Sequence, residues 1–260
     1  FDFIGITIQY EMCYTNILQI LDLAQIPLLA KERERDMPFV IGGGPCTYNP
    51  EPLADFFDLF YIGEGETSYD ALLDLYKDWK KSDESREVFL HQAAKIPGIY
   101  VPALYEVSYK ENGTLSSMEP VYDDIPRKIE KQVVTELTAS VYPDKPVVPF
   151  LKVTQDRVVL EVQRGCIRGC RFCQAGMIYR PLREKDVERL KRQADIMLAN
   201  TGYEEISLSS LSTSDYRELE DLINYLIEHH GKEHVNISLP SLRVDAFSLE
   251  VMGKVQDIKK

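Results

Sequence analysis

The 260-residue sequence contains no run of about 18 uncharged apolar residues, so no segment of it is expected to cross a membrane. Cysteine is scarce and unevenly placed: five in all, three of them between 166 and 173. An odd count with one crowded trio is unlike a secreted disulfide framework, and the expectation is a reducing, cytoplasmic setting. Positive charge is short as well, with 30 Lys and Arg against 42 Asp and Glu and a net charge of −12. That balance gives no strong nucleic-acid signal. No charged leader with a cleavage site precedes the opening "FDFIGITIQY", which reads as a strand from its first residues. The expectation is a piece cut from a longer protein. Internal repeats and low-complexity tracts are absent.

What is present is an α/β pattern. In residues 1–84, "DFIGITI" (2–8), "MPFVIGGG" (37–44) and "DLFYIGEGE" (58–66) read as strands. Helical spacing falls between and after them, over 15–24 and 67–79. In the second helix Tyr69, Leu72, Leu73 and Tyr76 share one face. Strands alternating with helices predict a doubly wound, Rossmann-like domain with a parallel sheet. Residues 85–150 form a connecting region, with a hairpin expected around Asn112-Gly113 and a Pro-rich linker over 138–150. From 151 to 260 the alternation returns. Strands are expected at 157–163, 204–212 and 234–245, helices at 183–200 (stopped by Gly202) and 214–231, and another helix from Ala246. About three βα units make part of a (β/α) barrel, so this half is expected to be truncated.

Charge is also asymmetric. Residues 157–192 hold ten basic and four acidic side chains, a basic island that suits either a solvated helix face or a site for anionic groups. Inside it lies "RGCIRGCRFCQAG", with thiols at Cys166, Cys170 and Cys173. Structural zinc usually takes four ligands, and Cys13 and Cys46 lie far away in the sequence. A Cys-x-x-Cys redox pair leaves Cys166 unexplained. Three thiolates fit an iron–sulfur cluster with one iron left open, and Gly165, Gly169 and Gly176 let the backbone turn around a bulky group. Arg168 and Arg171 would offset its negative charge.

The Cys-x-x-x-Cys-x-Phe-Cys run directly after a strand resembles the signature of the radical S-adenosylmethionine (SAM) superfamily. The resemblance implies that Cys166, Cys170 and Cys173 hold a 4Fe-4S cluster, that SAM chelates the open iron, and that Phe172 lies near the adenine. It also places SAM contacts on loops after the barrel strands: Ser209, Ser210 and Ser212 after the second, Arg243 after the third. The superfamily's Gly-Gly-Glu is replaced here by "LSSLSTSD", leaving the amino-group contact unassigned. An electron donor such as flavodoxin or ferredoxin is implied too.

"VIGGGPCTYNPEPLADFFDLFYIGEGE" (40–66) resembles the second half of a cobalamin-binding domain. The likeness implies that Thr7, Gly42, Gly43 and Gly44 face the cofactor, at the strand ends where doubly wound sheets bind ligands. No Asp-x-His loop for a lower cobalt ligand is present, so a cobalamin site and an empty domain of the same fold both stand. With "GGPCTYNPEPLADFFD" and "SLPSLRVDAFS" the whole chain resembles a bacterial radical SAM family carrying an N-terminal cobalamin-binding-like domain. In place of that family's His before Asp156-Arg157 stands Gln155. The expected function is radical SAM chemistry on an unassigned substrate, with methyl transfer favoured if cobalamin binds. The alternatives are a methylthiotransferase acting on RNA or a ribosomal protein, and a non-catalytic iron–sulfur or zinc module.

Overall fold

A computed structural model describes residues 1–151, 153–246, 253 and 255. The chain divides into two compact units, Phe1–Val134 and Thr135–Lys260.

In the first unit, β1 (Phe3–Thr7), α1 (Tyr14–Leu23), β2 (Phe39–Gly43) and β3 (Leu59–Tyr61) follow the predicted alternation. They continue into α2 (Tyr69–Lys81), α3 (Arg86–Ala93) and β4 (Ile99–Tyr100). The sheet order is β1-β2-β3-β4, parallel through β3, with β4 antiparallel on the far edge. Phe39, Val40 and Ile41 are buried in succession, as expected of a strand covered on both faces. Phe39 sits at the centre of an aromatic cluster, its ring 4.4 Å from Phe89 and 5.4 Å from Trp79. The α2 face differs slightly from the sequence reading. Leu72 and Trp79 carry the burial, while Leu73 turns to solvent at 41% exposure. β5 (Tyr105–Tyr109) and β6 (Leu115–Pro120) form the expected hairpin. Gly113 takes φ +79° at its turn, and the Asn112 side chain accepts the Thr114 amide hydrogen bond at 3.1 Å.

Beside β2 and β3 one carboxylate serves two guanidinium groups. Asp58, just before β3, accepts from Arg33 at 2.8 Å and Arg86 at 2.9 Å. The same side chain accepts the Val40 amide at 2.7 Å. Arg33 further donates to the carbonyls of Pro27, Leu28 and Phe56. Arg86 donates to Met37 and Pro38 and lies 3.7 Å over the Phe39 ring. All three side chains are out of water, and the carbonyl bonds satisfy donors that burial would otherwise leave costly.

The second unit carries β7 (Val158–Glu161), β8 (Gln163–Arg164), α4 (Ala175–Ile178), β9 (Arg183–Glu184), α5 (Val187–Thr201), β10 (Glu205–Ser209), α6 (Leu219–His230) and β11 (Asn236–Ser238). Its parallel sheet runs β11-β10-β7. Val158, Leu160, Ile206, Leu208 and Ile237 pack with Leu190, Ala194, Leu222 and Leu226 of the helices in one core. The helix expected from Arg183 starts later. Asp186 caps α5 by accepting the Arg189 amide at 2.9 Å, and Arg183 and Glu184 pair with β8 instead. Gly202 ends α5 in the left-handed region at φ +69°. No closed barrel is present among the described residues; the sheet has three strands. The helix expected from Ala246 lies mostly outside them. Among the described residues, no helix is long and apolar enough to cross a membrane.

Candidate functional site

The cysteine loop is an excursion between two strands that pair at its neck. β8 leaves β7 through Val162, and β9 returns antiparallel to it, with Gln163 opposite Glu184 and Arg164 opposite Arg183. Gly165 begins the loop at φ +91°, a conformation that favours glycine. A Cβ there would lie 2.6 Å from the Tyr179 carbonyl oxygen and press on that of Pro181. The tight neck therefore has no room for a side chain at its first residue.

All three loop cysteines are free thiols; Cys166 and Cys173 are half-buried and Cys170 is exposed. The Arg168 amide donates to the Cys166 sulfur at 3.4 Å, the kind of N–H···S contact that stabilises thiolates on iron. The Cys173 amide closes a turn onto the Cys170 carbonyl at 3.0 Å. Among the described residues, no three His, Cys, Asp or Glu side chains converge on a point one metal ion could occupy. Thiolates on a cluster each take a different iron, whereas a tetrahedral ion needs its ligands on one point. Phe172 stands 92% exposed beside the last thiol.

Two further loops meet this one at the carboxyl ends of the strands. Arg168 donates to both oxygens of Asp215, Nε to Oδ2 at 3.0 Å and Nη2 to Oδ1 at 2.5 Å. Arg243, after β11, donates to the same carboxylate at 3.1 Å, and Ser212 adds a bond at 2.8 Å. Arg168's hydrogen bonds, then Ser212's, hold the Asp215 carboxyl down at about 2 against the opposing effect of burial. Arg243 thus meets Asp215 and also Asp245, where the sequence pointed to a ligand carboxylate. Ser209 ends β10 half-buried, in register with Glu161. The Ser210 hydroxyl is 2.9 Å from that of Thr213. Glu161 is held bidentately by Arg164, at 2.8 and 3.0 Å, with the buried Lys185 amine 3.5 Å away. Asp215 and Glu161 escaped the sequence reading. The one available signal was an acid within the polar run that replaces Gly-Gly-Glu.

In the first unit the three candidate glycines play different parts. Gly42 is buried, and an added Cβ would lie 2.7 Å from Phe60 Cε1, so its smallness serves packing. Gly44 takes φ +93° against the Ile8 backbone. Gly43 meets open space, in register with the exposed Thr7 at the end of β1. Gly42→Ala is expected to destabilise the first unit by about 1–3 kcal/mol through overpacking. A chemical-denaturation shift checks this, and an unchanged midpoint would mean the strand accommodates the methyl.

A sequence profile described as "Radical SAM proteins, N-terminal" matches residues 1–102, and one described as "Radical SAM superfamily" matches residues 160–259. "Uncharacterized protein MJ0966" of Methanocaldococcus jannaschii is 29% identical over 255 residues, which is 97% of this chain and 47% of that one. "Putative methylthiotransferase MJ0865" of the same organism is 22% identical, over 89% of this chain and 45% of its own length. The chain therefore spans about half the length of the curated relatives it matches. The fold is similar to that of the radical S-adenosylmethionine methyltransferase TsrM from Kitasatospora setae, solved with cobalamin and a [4Fe-4S] cluster bound. The TM-score is 0.58 at 14% identity, covering 98% of this chain and 48% of that one. With both halves of the sequence matched and the cysteine motif set at the end of a parallel strand, the chain belongs to the radical SAM superfamily, whose members use a 4Fe-4S cluster and SAM.

Proposed function

We propose that this chain is the cofactor-holding part of a radical SAM enzyme, with Cys166, Cys170 and Cys173 as the cluster ligands. The observation that carries the reading is the arrangement of three free thiols on one glycine-necked loop, one sulfur already accepting a backbone amide. When bound, the cluster supplies the electron that cleaves SAM to a 5′-deoxyadenosyl radical. The protein's own part is placement. The β8–β9 neck fixes where the loop leaves the sheet, and the Arg168 amide lowers the charge felt at Cys166. Phe172 offers an exposed ring for the adenine, and Ser209 and Ser210 offer hydroxyls at the rim of β10. A flavodoxin or ferredoxin is the class of electron donor such a site needs, and a reducing cytosol suits its free thiols.

The first unit is proposed to hold cobalamin over the carboxyl ends of β1 and β2. Gly43 there leaves backbone open to a ligand and Thr7 supplies a hydroxyl. The likeness of fold to a methyltransferase solved with cobalamin supports methyl transfer as the reaction class. Methylthio transfer is the second reading, favoured by the likeness to MJ0865.

Anaerobic reconstitution with iron, sulfide and hydroxocobalamin tests both parts. About four irons per chain, brown charge-transfer absorbance, SAM-dependent release of 5′-deoxyadenosine and a retained corrinoid are expected. One zinc per chain with no iron would replace the enzyme reading with a structural metal module. Iron without corrinoid would remove cobalamin and leave the second reading ahead.

A further inference from the structure

Asp215 joins three loops through one carboxylate. Its side chain is only 8% exposed, and it accepts from Nε and Nη2 of Arg168, from one nitrogen of Arg243 and from the Ser212 hydroxyl. The loops after β10 and β11 are tied separately. The Thr213 hydroxyl donates to the Pro240 carbonyl at 2.7 Å, its amide to Ser241 at 3.2 Å, and the Arg243 amide to Ser214 at 3.2 Å. Those bonds make a firm base from which Asp215 reaches the cysteine loop. What it grips there is the residue whose own amide points at the Cys166 sulfur.

We propose that Asp215 is a positioning residue for the iron site: by clamping the Arg168 guanidinium it fixes the Arg168 backbone, and through that amide it sets the place of the Cys166 sulfur. Arg168 and Arg243 face two carboxylates, Asp215 and Asp245, so the charges of this tie balance beside the three cysteines. The clamp thus orders the metal-free loop and tunes the loaded one. Its functional meaning rests on the cluster reading proposed above; its geometry does not.

The test compares the full chain with Asp215→Asn, Asp215→Glu and Arg168→Gln, first without metal. Asp215→Asn keeps the shape and removes the charge. Amide exchange over residues 166–173 is expected to quicken about tenfold, with alkylation of Cys166 faster by a similar factor. Exchange in β7, β10 and α5 should stay at the parent rate. Asp215→Glu should recover part of the protection. Should Asp215→Asn fail to fold, Arg168→Gln cuts the same tie while Arg243 and Ser212 still satisfy the carboxylate, and the same local loosening is expected. After reconstitution, the cluster of the loosened variant should surrender iron to a chelator several-fold faster and show an altered reduction potential, effects a purely structural tie elsewhere would not produce. Parent-like exchange and alkylation in either variant overturns the clamp, whatever the iron content. Failure of the parent to take up iron overturns the cluster reading alone, since the exchange measurement still stands.

Discussion

Cys170→Ala is expected to fold and to reconstitute to fewer than about one iron per chain, where the parent is expected to take about four. The side chain is exposed, so its loss removes little packing, and stability should move by no more than about 0.5 kcal/mol. The effect falls on ligation. Two thiolates anchor only two irons, and Phe172 and Arg171 beside the vacant position offer no donor in their place. Release of 5′-deoxyadenosine should drop to the level seen without protein, because the electron and the open iron both come from the cluster. Iron content, electron paramagnetic resonance of the reduced protein and product release are the measurements. Retention of parent-level iron by this variant would show that the cluster sits elsewhere or that another residue completes it.

Asp58→Ala should be the most damaging single change in the first unit, costing about 3–5 kcal/mol. Removing the carboxylate leaves Arg33 and Arg86 buried without their shared counter-charge, and it orphans the Val40 amide on the central strand. A domain of this size is usually stable by about 5–15 kcal/mol, so a substantial part of the total is at stake. Urea unfolding followed by the Trp79 fluorescence should shift its midpoint down by more than about 1 M. Trp79 is the sole tryptophan and packs on Phe39, so it reports this unit. A shift under about 0.3 M would mean that water or backbone groups satisfy the two cations without the carboxylate.

Much of the fold was legible because it obeys local rules. The apolar runs at 37–44 and 157–163 became parallel strands, Asn112-Gly113 made its hairpin, and Gly202 stopped its helix. The cysteine motif was legible because its three thiols lie within eight residues of each other. What remained hidden depends on partners distant in sequence. Arg33, Asp58 and Arg86 look like ordinary surface charges until the fold brings residues 25 and 28 positions apart into one buried knot. Arg243 suggested a ligand contact, and only the folded chain shows Asp215, 28 positions away, already at its guanidinium. The start of α5 was misplaced because Arg183 and Glu184 have helical propensity, yet β8 offers them backbone partners and Asp186 supplies the cap. The packing constraint on Gly42 was hidden because a phenylalanine eighteen residues on cannot be seen pressing against it.

The alternation along β7 and into Val162 has a consequence for where the cysteine loop begins. Val158, Leu160 and Val162 are buried, while Val159 and Glu161 are not. Slipping this strand by one residue against β10 would drive Glu161 into oil and push Leu160 into water. The cost of that slip makes the strand a ruler, and Cys166 is measured off beyond its end, four residues past Val162 and just inside the loop. The height of the first sulfur is therefore set by greasy side chains that never touch it.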